Sequence, residues 1–332
     1  VTESSPAIAT QVPALVPESF WSILLRRFRY VVAIGFSAAV FSFVAWPFVA
    51  PPPAMAGVSL LAWSMSTGLL GAMVLALLLI IVSSVCMLLV HPDAPHMGLF
   101  CALAGMAALS IRGGGSHMLV QYGQMTGTWS NLSILLAIEC VQWAILLAIV
   151  ETVVRLTHDR FFSNTHWMLR TGAEAARQGA TDWSAGTAQP MGVALTVSQA
   201  LGTKNLNRMI SAPLAMLYSG VVAFVLLYAT LQSPEKGQVL FACFVAFFFS
   251  TGNSFLAFPR ASVLAYALAV PLTAAVGYYL GSAHPSFIYP GQGGYFVSRA
   301  LPIDFSVAGV PGAILGYYAA LRWSVTSHET QA

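Results

Sequence analysis

The sequence predicts an all-α polytopic membrane protein with about eight transmembrane helices in two tandem, parallel four-helix repeats. Three observations lead there. Hydrophobic residues make up 58% of the 332 positions and charged residues 8%, with a mean hydropathy of +0.76. A water-soluble domain carries about 25% charged residues. Charge this sparse cannot cover a water-facing surface, so most of the surface must face lipid. Apolar runs of spanning length also recur along the chain. Finally, one motif occurs twice: His117-Met-Leu-Val-Gln-Tyr122-Gly-Gln124 and His284-Pro-Ser-Phe-Ile-Tyr289-Pro-Gly-Gln292, the second with one inserted proline. The register that pairs His117 with His284 and Tyr122 with Tyr289 also pairs Pro92 with Pro259 and Gly114 with Gly281 without a gap.

The elements follow in order. Residues 1–28 are expected to be a loose cytoplasmic tail, rich at first in Pro, Ser, Thr and Ala and closing on Arg26 and Arg27, with Arg29 just beyond. The spans are expected at about 30–49, 62–90, 97–112 and 131–155, forming a first repeat over 29–156. The run Tyr30–Val49 is long enough to cross a bilayer, so it reads as an uncleaved first helix rather than a signal peptide. Residues 57–90 are too long for one upright helix and short for two. They fit either a tilted helix or a helix with a re-entrant piece near Ser64–Gly68. Residues 157–207 form the one sizeable polar segment. It reads as a cytoplasmic linker whose first part, mixing aromatics with Arg and His, suits an amphipathic helix on the membrane surface. Spans at about 208–231, 237–257, 261–281 and 305–324 make a second repeat over 208–325, and 326–332 is a cytoplasmic tail.

Basic residues set the expected orientation. Eight spans put Arg26, Arg27, Arg29, Arg155, Arg160, Arg170, Arg177, Lys204, Arg208, Arg260 and Arg322 on one side, and leave Arg112, Lys236 and Arg299 on the other. The positive-inside rule then places both termini in the cytoplasm of a cell bounded by an inner membrane. An even number of spans per repeat keeps both copies in one orientation, related by an axis along the membrane normal.

Composition also excludes classes. A net charge of +3, with aromatics scattered through apolar runs rather than among Lys and Arg, argues against nucleic acid. Cys86, Cys101, Cys140 and Cys243 each sit in an apolar run without metal spacing and read as small buried hydrophobes. His91-Pro-Asp93-Ala-Pro-His96 reads as a rigid turn rather than a ligand cluster. Gly202-Thr203-Lys204 lacks the spacing of a phosphate loop, and no hydrolase or metalloprotease signature is present.

Candidate functional residues are few. Glu139 interrupts an apolar run, and Gln142, three residues on, is expected on the same helix face. A carboxylate in mid-membrane costs about 2.5–3.5 kcal/mol on insertion scales, so Glu139 must face the bundle interior, be protonated or pair. It suits a proton or cation relay, or equally an interhelical hydrogen bond that holds helices together. The two His-Tyr-Gly-Gln loops, with His117, Tyr122, Gln124, His284, Tyr289 and Gln292, read either as an outer mouth or as interfacial anchors. Arg112, beside three glycines, is placed with them, to meet lipid phosphate or reach Glu139. Arg299 and Asp304 are expected to pair.

Two functions remain. One is a transporter or permease for a small or apolar solute or ion. The other is a non-catalytic membrane subunit of a larger complex: a scaffold, an anchor or a quinone-proximal element. Partners beyond the lipid bilayer would be other membrane subunits, or a cytoplasmic protein at 157–207. No cofactor is predicted; haem or quinone near His117 or His284 would belong to the second reading.

Overall fold

The computed structural model describes residues 20–50, 58, 65–90, 94–114, 129–162, 204–282 and 296–329. These residues are all-helical, without strand. Helix α1 (Phe20–Ala39) continues through a π segment (Val40–Ala45) into a last turn (Trp46–Val49). Then come α2 (Met65–Val90), α3 (His96–Gly113), α4 (Trp129–Phe162), α5 (Lys204–Thr230), α6 (Lys236–Ala257) and α7 (Val263–Ser282). The last helix, α8 (Val310–Glu329), is entered through a turn (Pro302–Asp304) and a π segment (Phe305–Gly309).

Each π segment lies just before a proline, Pro47 or Pro311. Proline offers no N–H and its ring crowds the carbonyl four residues back, so a wider turn upstream relieves the clash.

Seven helices among the described residues are long and apolar enough to cross a membrane: those starting at Leu24, Leu70, His96, Asn131, Ile210, Lys236 and Val263. Large apolar side chains such as Phe43, Met73, Phe241 and Tyr279 stand exposed on them, as a lipid-facing surface requires. The eighth helical stretch is different. From Leu301 to Ile314 every residue is buried, and its apolar runs are broken by Pro, Gly, Ser and Asp304. A helix enclosed by other helices needs small packing residues more than lipid-facing bulk.

Helix ends depart from the predicted boundaries. The structure has α1 begin at Phe20, inside the expected tail; α4 runs to Phe162 and α5 starts at Lys204, both inside the expected linker; α8 reaches Glu329. Backbone hydrogen bonding continues past the hydrocarbon where charged side chains can reach water, so the apolar run understates the helix. Within 57–90, residues 65–90 form a single long helix from Met65, with no re-entrant piece at 65–68, while 57 and 59–64 lie outside the described residues. At about 39 Å this helix exceeds the ~30 Å hydrocarbon core.

Within the first half α1 crosses α3, and within the second α5 crosses α7. Between the halves α4 packs on α7, and α8, whose main partner is α6 of its own half, also touches α3. The two internal crossings use small residues. Ser37 donates a hydrogen bond to the Ala102 carbonyl at 2.7 Å, and a Cβ on Gly105 would collide with Ser37. At the other crossing a Cβ on Gly220 would lie 2.7 Å from the Thr273 hydroxyl. The neighbouring Ser219 meets Ser250 of α6 at 3.3 Å.

Candidate functional site

The acids buried among the described residues gather near the two ends of α3, with Glu139 between them. At the Gly113 end the centre is Asp304. Pro302 suits the first turn of a helix, where its missing N–H goes unmissed, and Asp304 follows two residues later. Its Oδ2 accepts the Leu301 backbone N–H at 2.8 Å, satisfying a donor at the helix start. Its Oδ1 accepts from Ser110 Oγ on α3 and lies 2.6 Å from Lys236 Nζ at the start of α6. Asp304 is fully buried and the Lys236 side chain is 12% exposed. Alongside, the Tyr278 hydroxyl of α7 donates to the Ala300 carbonyl. One carboxylate thus ties together α3, α6 and the entry to α8.

The expected Arg299–Asp304 pair is not what the structure holds. Arg299 donates to the Leu231 carbonyl at 2.6 Å, just past the end of α5, and to Gln232 Oε1 at 3.5 Å. Helix-end carbonyls lack partners within their helix and attract cations, whereas Asp304 is already satisfied by Lys236. Arg112 donates to the Ser42 carbonyl and lies 4.4 Å over the Trp46 ring. The π segment at Val40–Ala45 loosens that helix's own hydrogen bonding, and Trp46 offers a cation–π face. These contacts hold Arg112 on α1 instead of turning it to Glu139. Gly114 has φ of 78°, a conformation that favours glycine, and it ends α3.

Glu139 is fully buried, as predicted, on the α4 face that packs on α7. Glu139, Cys140, Asp304 and Cys243 lie within electrostatic reach of Tyr278. Gln142 departs from the prediction: its side chain is exposed. Residues three apart differ by about 60° around a helix, and the edge between buried and exposed faces falls inside that interval.

At the His96 end lies a second knot, with no counterpart in the sequence reading. Glu151 of α4 is buried; its Oε1 meets His96 Nδ1 and accepts from Arg155 Nε at 2.7 Å. The His96 ring is 6.4 Å from Tyr318 of α8. His96 was expected in a rigid turn, and Pro95 does open the helix there. The Glu151–Arg155 spacing of four was a legible helix pair; the His96 partnership, made across two helices, was not. By helix rise, Glu151 and Glu139 are about 18 Å apart along α4.

The interior between these knots is close-packed. A Cβ on Gly312 or Gly316 would fall closer than 3.0 Å to the carbonyl oxygens of Phe244 and Phe248. Two open clefts lie at the surface, one bounded by Thr230, Phe241 and Val245 and the other by Val153, Arg160 and Phe161, and neither is lined by a buried acid. The four cysteines are buried and free, and the described residues hold no group of three His, Cys, Asp or Glu suited to a metal ion. His117, Tyr122, Gln124, His284, Tyr289 and Gln292 lie outside the described residues. No protein-family model, curated protein or solved structure matches the chain.

Proposed function

We propose that this integral membrane protein is a transporter of permease type that passes a proton or another small ion or solute along the seam between two parallel four-helix halves. One observation carries the reading: the buried acids among the described residues, Glu139, Glu151 and Asp304, all sit on α4 and at the entry to α8, the elements that join the halves. Ionisable groups in hydrocarbon are costly to keep, so their concentration on one seam favours a pathway. The likeness of the Ser37–Gly105 and Gly220–Thr273 crossings supports the duplication. So does the paired motif at His117 and His284. Eight spans, with α8 the eighth, and both termini in the cytoplasm of an inner membrane follow from the basic residues.

In this reading Glu139 is the relay. Glu139→Gln keeps the shape and removes the exchangeable carboxyl proton. In liposomes holding a pH-sensitive dye, with a potassium-diffusion potential applied, the parent protein should carry proton flux above empty vesicles. The variant should lower that flux on the order of 10²-fold while its unfolding midpoint stays near the parent's. Equal flux from both proteins would remove Glu139 from the pathway.

The close-packed interior favours a second reading, a non-catalytic subunit of a larger membrane complex. Purification in mild detergent separates the two. A stoichiometric partner chain on the membrane surfaces or at 157–207 supports the subunit, and a haem or quinone held near His117 or His284 would show in the absorbance spectrum of that preparation.

A further inference from the structure

Gln142 poses a separate problem. Glu151 is level with the His96 end of the bundle, and Gln142 lies about 14 Å further along α4, close to half of a ~30 Å hydrocarbon core. Its amide is exposed there, and among the described residues it has no hydrogen-bond partner within the chain. Other exposed or half-buried polar side chains on the spans are answered internally in three cases: Asn253 donates to the Tyr218 hydroxyl at 3.1 Å, Thr152 to the Ala148 carbonyl at 2.7 Å and Ser84 to the Ile80 carbonyl at 2.9 Å, whereas Ser83, Ser133 and Thr251 lack a partner but are buried inside the bundle. Lipid tails offer an amide nothing.

The surface around Gln142 is ordered. Leu135, Ile138, Gln142, Ile145, Ile149 and Thr152 are all exposed and recur at alternating steps of three and four. That 3.5-residue period runs straight along a helix supercoiled with a like neighbour, and a single polar residue in such an apolar seam fixes its register.

We infer that this α4 face is the contact between two copies of the chain, paired in parallel about an axis along the membrane normal, with the Gln142 amides hydrogen-bonded to each other across it. A second copy fits better than another protein for two reasons on the face itself. Two copies inserted with the same topology bring Gln142 to the same depth automatically, and an amide, both donor and acceptor, is its own complement. From Leu135 to Thr152 the face carries no charge that would call for an opposite charge on a different partner. This inference does not rest on the transport reading.

The test is thiol cross-linking in membranes of the intact chain. The native cysteines are buried, so an introduced exposed cysteine is the reactive one. Ile138→Cys, Ile145→Cys and Ile149→Cys should each give a disulfide-linked band at twice the chain mass under a mild oxidant. Val221→Cys and Phe241→Cys, exposed on α5 and α6, should not. In liposomes, energy transfer between differently labelled copies should show that Gln142→Leu raises the dissociation constant roughly five- to thirty-fold, with Gln142→Asn restoring most of the association. Three results would each overturn the inference: stripe variants that cross-link no more than the controls, a cross-linked product of another mass, or a Gln142→Leu variant that associates like the parent.

Discussion

Asp304→Ala should destabilise the protein by about 3–5 kcal/mol, the usual consequence of removing one partner of a buried ion pair. The substitution strips three groups at once. Lys236 keeps its charge in a site where its side chain is 12% exposed, and its counter-ion at 2.6 Å is gone. The Ser110 hydroxyl and the Leu301 N–H lose their acceptor. The three groups belong to α3, α6 and the entry to α8, so the loss falls on the joint between the halves. Lys236→Met should cost less, because the carboxylate keeps its hydrogen bonds from Ser110 and the Leu301 N–H. Combining Lys236→Met with Asp304→Leu should recover a large part of the single-variant loss, since well-packed apolar residues often replace a buried pair at little cost. Unfolding midpoints in mixed detergent micelles measure all three variants, and adding the Asp304→Leu single variant closes the cycle that gives the coupling. A single-variant loss below about 1 kcal/mol, the range of exposed pairs, would mean that water reaches this joint in the membrane.

Much of the helical architecture was readable because hydrocarbon imposes it. A backbone in lipid must satisfy its own hydrogen bonds, so an apolar run of sufficient length becomes a helix with little dependence on its neighbours. That logic located the seven spanning helices and the burial of the four cysteines, and it allowed for a buried Glu139. The same uniformity hid the rest. α2 and α7 are apolar nearly all round, so their sequences do not say which face meets protein. Gln142 shows the consequence: with Ile, Leu, Val and Ala on every side, nothing in the pattern around Glu139 marks where the buried face stops. The Lys236–Asp304–Ser110 joint was out of reach for another reason. Its members come from three helices far apart in sequence, and each has plausible local partners, Arg299 for Asp304 among them. Which pair forms is decided by the meeting of α3, α6 and the entry to α8, which is a property of the packed bundle. The central position of α8 was not legible because the apolar run that suggests a span at 305–324 does not say whether lipid or protein surrounds it.

That packing rests heavily on Gly312 and Gly316, and Gly316→Ala should be among the most damaging single-methyl changes in the chain. Its new Cβ would press on the Phe248 carbonyl oxygen, closer than 3.0 Å, with the backbone of α6 behind it. A flexible side chain can rotate away from such a contact; a helix backbone moves only as a unit. Overpacking usually costs about 1–3 kcal/mol, and the rigid neighbour puts this site at the upper end, with Gly316→Leu beyond it. Gly35→Ala is the matched control, because nothing lies within 4 Å of its position and alanine favours a helix by about 1 kcal/mol over glycine; its midpoint should hold or rise. The argument extends past stability. α8 is entered through Asp304 and carries Tyr318 near His96 at the other end, so forcing α6 and α8 apart disturbs both polar knots together. Gly316→Ala should therefore lower the unfolding midpoint and, on the transport reading proposed above, the proton flux in parallel, whereas Glu139→Gln should lower the flux alone. If Gly316→Ala melts like the parent, α6 and α8 do not approach backbone to backbone at this crossing, and the alignment of the two knots along one seam loses its structural basis.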